Sequence, residues 1–324
     1  MKPSHLLIAA WLALPVWGHA TDGVEIVVEQ VGFAKPESVV HDTRNDVYLV
    51  SNINGLVSGP AGKGFISRIA PDGRVLQLKW IDGGAPGTTL HHPAGLAIAD
   101  GVLYVADGGG EGGPAAVRLF DADTGAPLGE AVHAPGASSN GLVVLPGGDV
   151  LGTHSAWKRS EGRLGSREDV DNRSRTDVWR QWDGNLWIPS GQDAIYRIGR
   201  DLKISTFARS PLLRQPNGIT LLPGGNLLTV SSNGGILYEL TPDGQQTNVR
   251  ALPHQGFFDG VGATPDGKVF VSHHKGVYRI LPDGGSRPVF DLNTHVADFH
   301  FDLKRGRILL PLIYAHKLVV ARIP

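Results

Sequence analysis

The chain contains no cysteine, and this absence excludes several kinds of chemistry at once. Among its 324 residues there is no thiol to form a disulfide framework, a thiolate metal site or a thiol nucleophile. No Gly-x-Ser-x-Gly sequence supports a serine nucleophile. An exported protein without disulfides must be stabilised by burial, for which about 300 residues suffice.

Neither sign of charge is in excess. Lysine and arginine number 30 and aspartate and glutamate 31, and no long basic run occurs. The sequence therefore predicts neither a nucleic acid nor an anionic membrane surface as a partner.

Long apolar runs are also missing, apart from a short one at the N-terminus. Residues 6–17 are apolar, follow a positively charged start, and precede the small-x-small pattern Gly18-His19-Ala20. This arrangement predicts a secretory signal peptide over residues 1–20, with a periplasmic or secreted mature protein beginning at Thr21. An uncleaved anchor is the alternative; after cleavage no membrane association is expected.

No segment shows a sustained helical period with caps, which argues against an α-rich fold. What the chain has in abundance is turn-forming residues, 44 glycines and 22 prolines. Pro-Asp-Gly turns at 71–73, 242–244, 265–267 and 282–284 separate short runs of Val, Ile, Tyr and Leu. Such runs between such turns predict an all-β fold of many hairpins.

Six short segments place a small or polar residue just before a strand-like apolar run. Their second residues are Glu37, Ala94, Asn140, Asn217, Asp259 and Asp298. Most spacings lie near the 40–45 residues of one four-stranded propeller blade. We therefore predict a six-bladed β-propeller over residues 21–324, whose ring is closed by the N-terminal strand pairing into the last blade.

The step from Asn140 to Asn217 is 77 residues, roughly 35 more than a plain blade needs. We attribute the excess to an insertion at about 155–190, which is either a surface excursion or a lid over the channel mouth.

Blades around one axis bring equivalent residues together, so Glu37, Asn140, Asn217 and Asp259 are expected to meet at one mouth, with Asp298 as a further candidate. Hard divalent cations prefer carboxylate and amide oxygens. Two acids confined together would repel each other, and a bound cation would remove that conflict. The alternative is that the acids merely cap turns at the starts of the blades.

These segments, together with Tyr48-Leu-Val-Ser-Asn52, Gly64-Phe-Ile-Ser-Arg and Tyr104-Val-Ala-Asp107, resemble the senescence-marker-protein/gluconolactonase family of six-bladed propellers, which includes regucalcin. The resemblance covers nearly all of the mature chain. It implies one divalent cation, usually calcium but zinc, magnesium or manganese in some members, held by Glu37, Asn217 and Asp259. It also implies that Asn140 contacts the substrate. Ser138 departs from the family pattern, which often has a basic residue there.

The predicted function is a cation-dependent hydrolase of a lactone or related ester, with Asp259 as general base and Asn140 orienting a small-molecule substrate. Histidines His92, His154 and His273 are further candidates for substrate binding. Two alternatives stay open. One is a non-catalytic propeller that binds a small ligand, a metal or a protein partner, and the other is a propeller enzyme of the strictosidine-synthase type.

Overall fold

The computed structural model describes residues 23–55, 63–109, 114–159, 179–180, 186–232, 234–252 and 256–324. The predicted signal peptide lies outside these residues. Within them, the only helix is a 3₁₀ turn, Pro211–Leu213. No helix in the described part of the chain is long and apolar enough to cross a membrane.

Six four-stranded antiparallel sheets form the six blades, which confirms the predicted all-β propeller. The first three blades consist of β2 (Pro36–Asp42), β3 (Val47–Asn52), β4 (Phe65–Ile69) and β5 (Val75–Asp82); β6 (Pro93–Ala99), β7 (Val102–Asp107), β8 (Ala116–Asp121) and β9 (Pro127–Val132); and β10 (Leu142–Val144), β11 (Val150–His154), β15 (Ala194–Ile198) and β16 (Ile204–Arg209). The last three consist of β17 (Pro216–Leu221), β18 (Leu227–Ser231), β19 (Ile236–Leu240) and β20 (Gln246–Ala251); β21 (Phe258–Ala263), β22 (Val269–His273), β23 (Gly276–Ile280) and β24 (Ser286–Asp291); and β25 (His300–Asp302), β26 (Arg307–Leu312), β27 (Lys317–Arg322) and β1 (Val24–Val28).

Burial within a blade follows the position of the strand. All six residues of β3 are buried, whereas in the outer strand β5 every residue except Ile81 is half-buried or exposed. Apolar side chains of neighbouring blades pack together, as Leu49 and Ile66 of the first blade do with Leu96 and Leu103 of the second. The core is therefore a series of layers between blades, and every inner strand is fixed from both sides.

The first and last blades are joined at two places. Strand β1 pairs antiparallel with β27 and supplies the outer strand of the last blade. At the inner strands, the Tyr48 hydroxyl donates to Asp302 Oδ2 at 2.7 Å, and Arg305 bonds both Asp302 and Asp46. The bonds from Tyr48 to Asp302 and from Arg305 to Asp46 join residues more than 250 positions apart.

The region of the predicted insertion contributes a separate three-stranded sheet. Its strands are β12 (Trp157–Arg159), β13 (Trp179–Arg180) and β14 (Leu186–Pro189), in the order β12-β14-β13. The remainder, residues 160–178 and 181–185, lies outside the described residues. Whether the insertion is an excursion or a lid stays a prediction.

Candidate metal centre

In four blades, the residue at the predicted position lies at a β-bulge in the innermost strand. In the first blade Pro36 is opposite Asn52 and Val39 is opposite Val50, so three steps on one strand match two on the other. The same bulge recurs at Pro93/Leu96, Pro216/Ile219 and Phe258/Val261. A bulge turns one side chain out of the regular alternation. Glu37, Ala94, Asn217 and Asp259 therefore leave the blade surface at equivalent points around the axis.

In four blades a glycine follows the residue at this position and allows neighbouring blades to approach closely. A Cβ on Gly95 would lie 2.2 Å from the carbonyl oxygen of Asn140, and one on Gly141 would lie 2.6 Å from that of Asn217. A Cβ on Gly218 would likewise lie 2.6 Å from the oxygen of Asp259. No side chain fits at these distances. The x-Gly pairs thus bring the backbones of successive blades into contact at the centre.

In three blades, a hydroxyl group of the second strand binds the amide that follows the candidate residue. Ser51 Oγ accepts from the amide of Ser38 at 2.8 Å, Thr153 Oγ1 from that of Gly141 at 3.0 Å, and Ser272 Oγ from that of Gly260 at 2.7 Å. These bonds satisfy amides that the bulge removes from the regular ladder.

Glu37, Asn140, Asn217 and Asp259 all line one cavity of about 100 Å³ at the channel mouth. The structure therefore brings these four predicted residues together. Each also carries a buried oxygen that accepts no hydrogen bond from the described residues: Glu37 Oε2, Asn140 Oδ1, Asn217 Oδ1 and Asp259 Oδ1. Unsatisfied buried oxygens are costly. Four around one cavity indicate a ligand that supplies positive charge or donors.

The carboxyls near the axis perturb one another strongly. Burial, with the charges of Asp259 and Asp298 adding to it, raises the pKa of Glu37 well above its usual range. Burial and the charge of Asp259 raise the pKa of Asp298 to about 8. Because like charges this close disfavour ionisation, a cation bound among these carboxyls would be favoured.

Asp298 lies below the mouth rather than in it. Its amide donates to the Glu37 carbonyl at 2.8 Å, while its side chain lines a separate channel cavity of about 410 Å³. It therefore acts electrostatically on the mouth residues from the opposite side.

His295 fixes one oxygen of Asp259. Its Nε2 lies 2.8 Å from Asp259 Oδ2, and because an ionised carboxylate only accepts, the imidazole is the donor. The other oxygen, Oδ1, is left for the cavity. His295 was one of several histidines in the sequence, and nothing in its spacing marked it as the partner of Asp259.

The three histidines predicted to bind substrate occupy different environments. His92 lines the cavity, and burial lowers its pKa. Its amide donates at 2.7 Å to Asp107 Oδ1, which fixes the loop that leads to Ala94. His92 is thus the one of the three that the structure places on the cavity wall.

His154 and His273 are the last residues of β11 and β22, both buried and neither on the cavity wall. His154 Nδ1 accepts from the Ser138 amide at 3.3 Å, just as Asn52 accepts from Ala34 in the first blade. This strand-end position supports the loop before the candidate residue. Burial and the charge of Arg209 lower the pKa of His154 to about 4.

Sequence reasoning missed the apolar side of the mouth. Phe257, Tyr314, Ile53 and Ile313 line the same cavity, and His295 lies between the first two, with ring centroids 5.3 Å from Phe257 and 5.7 Å from Tyr314. Tyr314 belongs to the turn between β26 and β27. Only its place in that turn, equivalent to the loops above the other blades, could have pointed to it.

The donor set fits a hard divalent cation. Among the described residues no three His, Asp or Glu side chains form a metal-binding group; the set here combines two carboxylates with two amides. Carboxylate and amide oxygens are the ligands that calcium takes in proteins. The unsatisfied oxygens and the raised pKa of Glu37 both fit a site for such a cation.

No protein-family model matches this chain, and no curated protein matches it. Solved structures do. The calcium-binding protein regucalcin from Agrobacterium tumefaciens matches with a TM-score of 0.61 at 16% identity, over 93% of each chain. A gluconolactonase from Xanthomonas campestris matches with a TM-score of 0.58 at 17% identity, over 94% of this chain and 99% of its own.

An inactive variant of virginiamycin B lyase from Staphylococcus aureus, solved with quinupristin, matches with a TM-score of 0.58 at 16% identity, over 91% of this chain and 97% of its own. At these identities the comparisons establish the fold. The chain is a propeller of the kind found in gluconolactonase, regucalcin and virginiamycin B lyase.

Proposed function

We propose that the protein is a divalent-cation-dependent hydrolase of a lactone or related ester, with its centre at the channel mouth. The observation that carries this proposal is the convergence of four unsatisfied buried oxygens, two of them from acids, on one cavity. Glu37, Asn217 and Asp259 would hold the cation, for which calcium is the first choice.

A bound cation would supply positive charge to polarise the ester carbonyl and stabilise the developing oxyanion. The protein's own groups have separate tasks. Asp259 takes a proton from water, since Oδ1 faces the cavity while His295 fixes Oδ2. Asn140, on the same wall, orients the substrate through its amide. The water oxygen bonds to the carbonyl carbon, the ring C–O bond breaks, and the proton passes to the departing alkoxide, giving a hydroxy acid.

The neighbouring structures support this proposal at a general level. They include a gluconolactonase, a calcium-binding protein and a virginiamycin B lyase that was solved with quinupristin in a catalytically inactive form. Propellers host unrelated activities, so the argument for this chain rests on its own oxygen donors.

The proposal is tested by hydrolysis of a lactone and ester panel in the presence of chelator and after adding calcium, zinc, magnesium or manganese. We expect activity to be lost to the chelator and restored by one cation. Asp259→Asn should lower kcat/KM by about 10²–10⁴-fold and weaken calcium binding measured by calorimetry. Glu37→Gln and Asn217→Ala should weaken calcium binding as well.

Asp266→Asn is the matched control, because Asp266 lies in an exposed turn of the same blade. This variant should leave both kcat/KM and calcium binding unchanged. Activity that survives the chelator, or full activity in Asp259→Asn, would contradict the proposal. Calcium binding without turnover of any substrate would instead favour the non-catalytic binding protein.

A further inference from the structure

The mouth cavity has two chemically different walls. Four of its lining residues carry the unsatisfied oxygens, while Ile53, Ile313, Phe257 and Tyr314 contribute an apolar and aromatic wall. Ile53 and Ile313 are 1% and 3% exposed and pack with Ala297 in a small cluster beneath the mouth. This apolar wall is therefore supported from below and is part of the folded core.

The aromatic part of the wall is fixed relative to Asp259. His295 donates to that carboxylate and packs between Phe257 and Tyr314, with interplanar angles of 45° and 83°. Burial and the charge of Asp259 raise the pKa of Tyr314, which agrees with its position beside the acid. The Tyr314 side chain is nevertheless 53% exposed, so aromatic surface remains for a ligand to cover.

The charge of the mouth disfavours an anionic ligand. Among the described residues that line the cavity there is no arginine or lysine. The nearby Lys35 ammonium is directed to the carbonyl oxygen of Gly55 at 2.6 Å. The charges of two carboxylates neutralise one bound divalent cation. Among the described lining residues, no lysine or arginine is then available to pair with a substrate carboxylate or phosphate.

We infer that the substrate is a neutral lactone with an alkyl or aryl substituent that packs against Phe257 and Tyr314, rather than a polyhydroxylated sugar lactone. This inference rests on the proposed function and adds the substrate class. The ester end meets Asp259 and Asn140, and the substituent extends over the aromatic wall toward solvent. Phe257 and Tyr314 are then the residues that determine specificity.

The test compares two six-membered lactones, δ-nonalactone and glucono-δ-lactone, on the calcium-loaded protein. We expect kcat/KM to favour the alkyl lactone by about tenfold or more, since each buried methylene adds to binding. Tyr314→Ala and Phe257→Ala should each lower kcat/KM for δ-nonalactone by about tenfold, mainly through KM, and lower it for glucono-δ-lactone by a smaller factor. Equal or better hydrolysis of glucono-δ-lactone would overturn the inference and leave the hydrolase proposal standing.

Leu303→Ala is the matched control. Leu303 is exposed to the same extent, 53%, but lines the cavity at the other end of the channel, so its loss should change neither rate. The melting temperature and calcium affinity of Tyr314→Ala should equal those of the wild type, which separates lost contacts from lost folding.

Calorimetry with the corresponding lactams separates the two claims if no lactone is hydrolysed. Preferential binding of the butyl-substituted δ-lactam over glucono-δ-lactam, lost in Tyr314→Ala, would support the ligand class and overturn the hydrolase. If the two lactams bind equally well, the inference that the ligand carries an alkyl or aryl substituent would be overturned.

Discussion

At the scale of single residues, the feature with the largest energetic consequence is the group of acids near the axis. Glu37, Asp259 and Asp298 reach the same short stretch of the channel from three blades, and the pKa values of Glu37 and Asp298 are raised. A cluster of this kind is unfavourable by itself and becomes favourable with a cation. The residues that would bind the metal are therefore residues that destabilise the metal-free protein.

This predicts a pH-dependent stability for the metal-free protein. A raised pKa means that the folded state keeps protons that the unfolded chain has released. The contribution of Asp298 is complete below about pH 4, where the unfolded carboxyl is protonated too. It is lost as the pH rises through the folded pKa of about 8. In chelator, the free energy of unfolding should fall between pH 5 and pH 8 by at most about 1.4 kcal/mol per pH unit for one group, and the melting temperature should fall with it.

Thermal unfolding with and without calcium checks this expectation. Calcium should flatten the profile, and Asp298→Asn should reduce the decline in chelator because the neutral amide does not titrate. A metal-free profile that is flat over this range, or the same slope in Asp298→Asn, would count against the electrostatic account.

The candidate residues themselves could be found from the sequence because they precede strands at blade-like intervals. Glu37, Asn140, Asn217 and Asp259 lie together in the structure, whereas their roles as ligands and catalysts remain predictions. Tyr314 could not be found in this way. It lies in a turn whose neighbours in space belong to other blades, and spacing along the chain carries no information about such contacts.

At the scale of the element, the bulge with its following glycine is the unit that repeats. Hydrophobic alternation and Pro-Asp-Gly turns were enough to predict the hairpins, because both are local signals. The bulges are not local, because they depend on which residue faces which across two strands. That is why sequence reasoning identified the small or polar residue before each strand-like run as the marker of a blade but not the distortion that directs its side chain.

Gly218→Ala tests the importance of the close approach between blades. The added methyl would lie 2.6 Å from both the Asp259 carbonyl oxygen and the Val261 amide nitrogen, so the two inner strands must separate. We expect a loss of about 1–3 kcal/mol in the free energy of unfolding, together with weaker calcium binding.

Gly224→Ala, in the next turn of the same blade, is the control. A Cβ there would meet nothing within 4 Å, and the change in stability should stay within about 0.5 kcal/mol. If the two variants unfold alike in denaturant, the close packing of the inner strands is not what holds the centre together.

At the scale of the whole molecule, the ring depends on the pairing of its two ends. Strand β1 covers the edge of β27, and Val28 is buried against Leu318 and Val320. Without it, β27 would present a free edge to solvent and to other molecules.

Removal of residues 23–29 should therefore lower the free energy of unfolding by about 3 kcal/mol, as expected for the loss of one buried and two half-buried aliphatic side chains, Val28, Val24 and Ile26. Calorimetry and light scattering would measure the lower melting temperature and the aggregation through the exposed edge. Val27→Ala, in the same strand but 47% exposed, should change stability by no more than about 0.5 kcal/mol. A truncated protein as stable and monomeric as the full one would show that the ring does not need this strand.

The repeated glycines have a further consequence for how such a protein can diversify. Blade contact depends on the backbone and on the residue that follows each bulge, while the bulged side chain itself points into the cavity. The second blade already carries plain Ala94 at this place and retains the same register as its neighbours. The residue at each bulge can therefore be substituted while the strand pairing of its blade is kept. A new set of ligands can arise by single substitutions, one blade at a time.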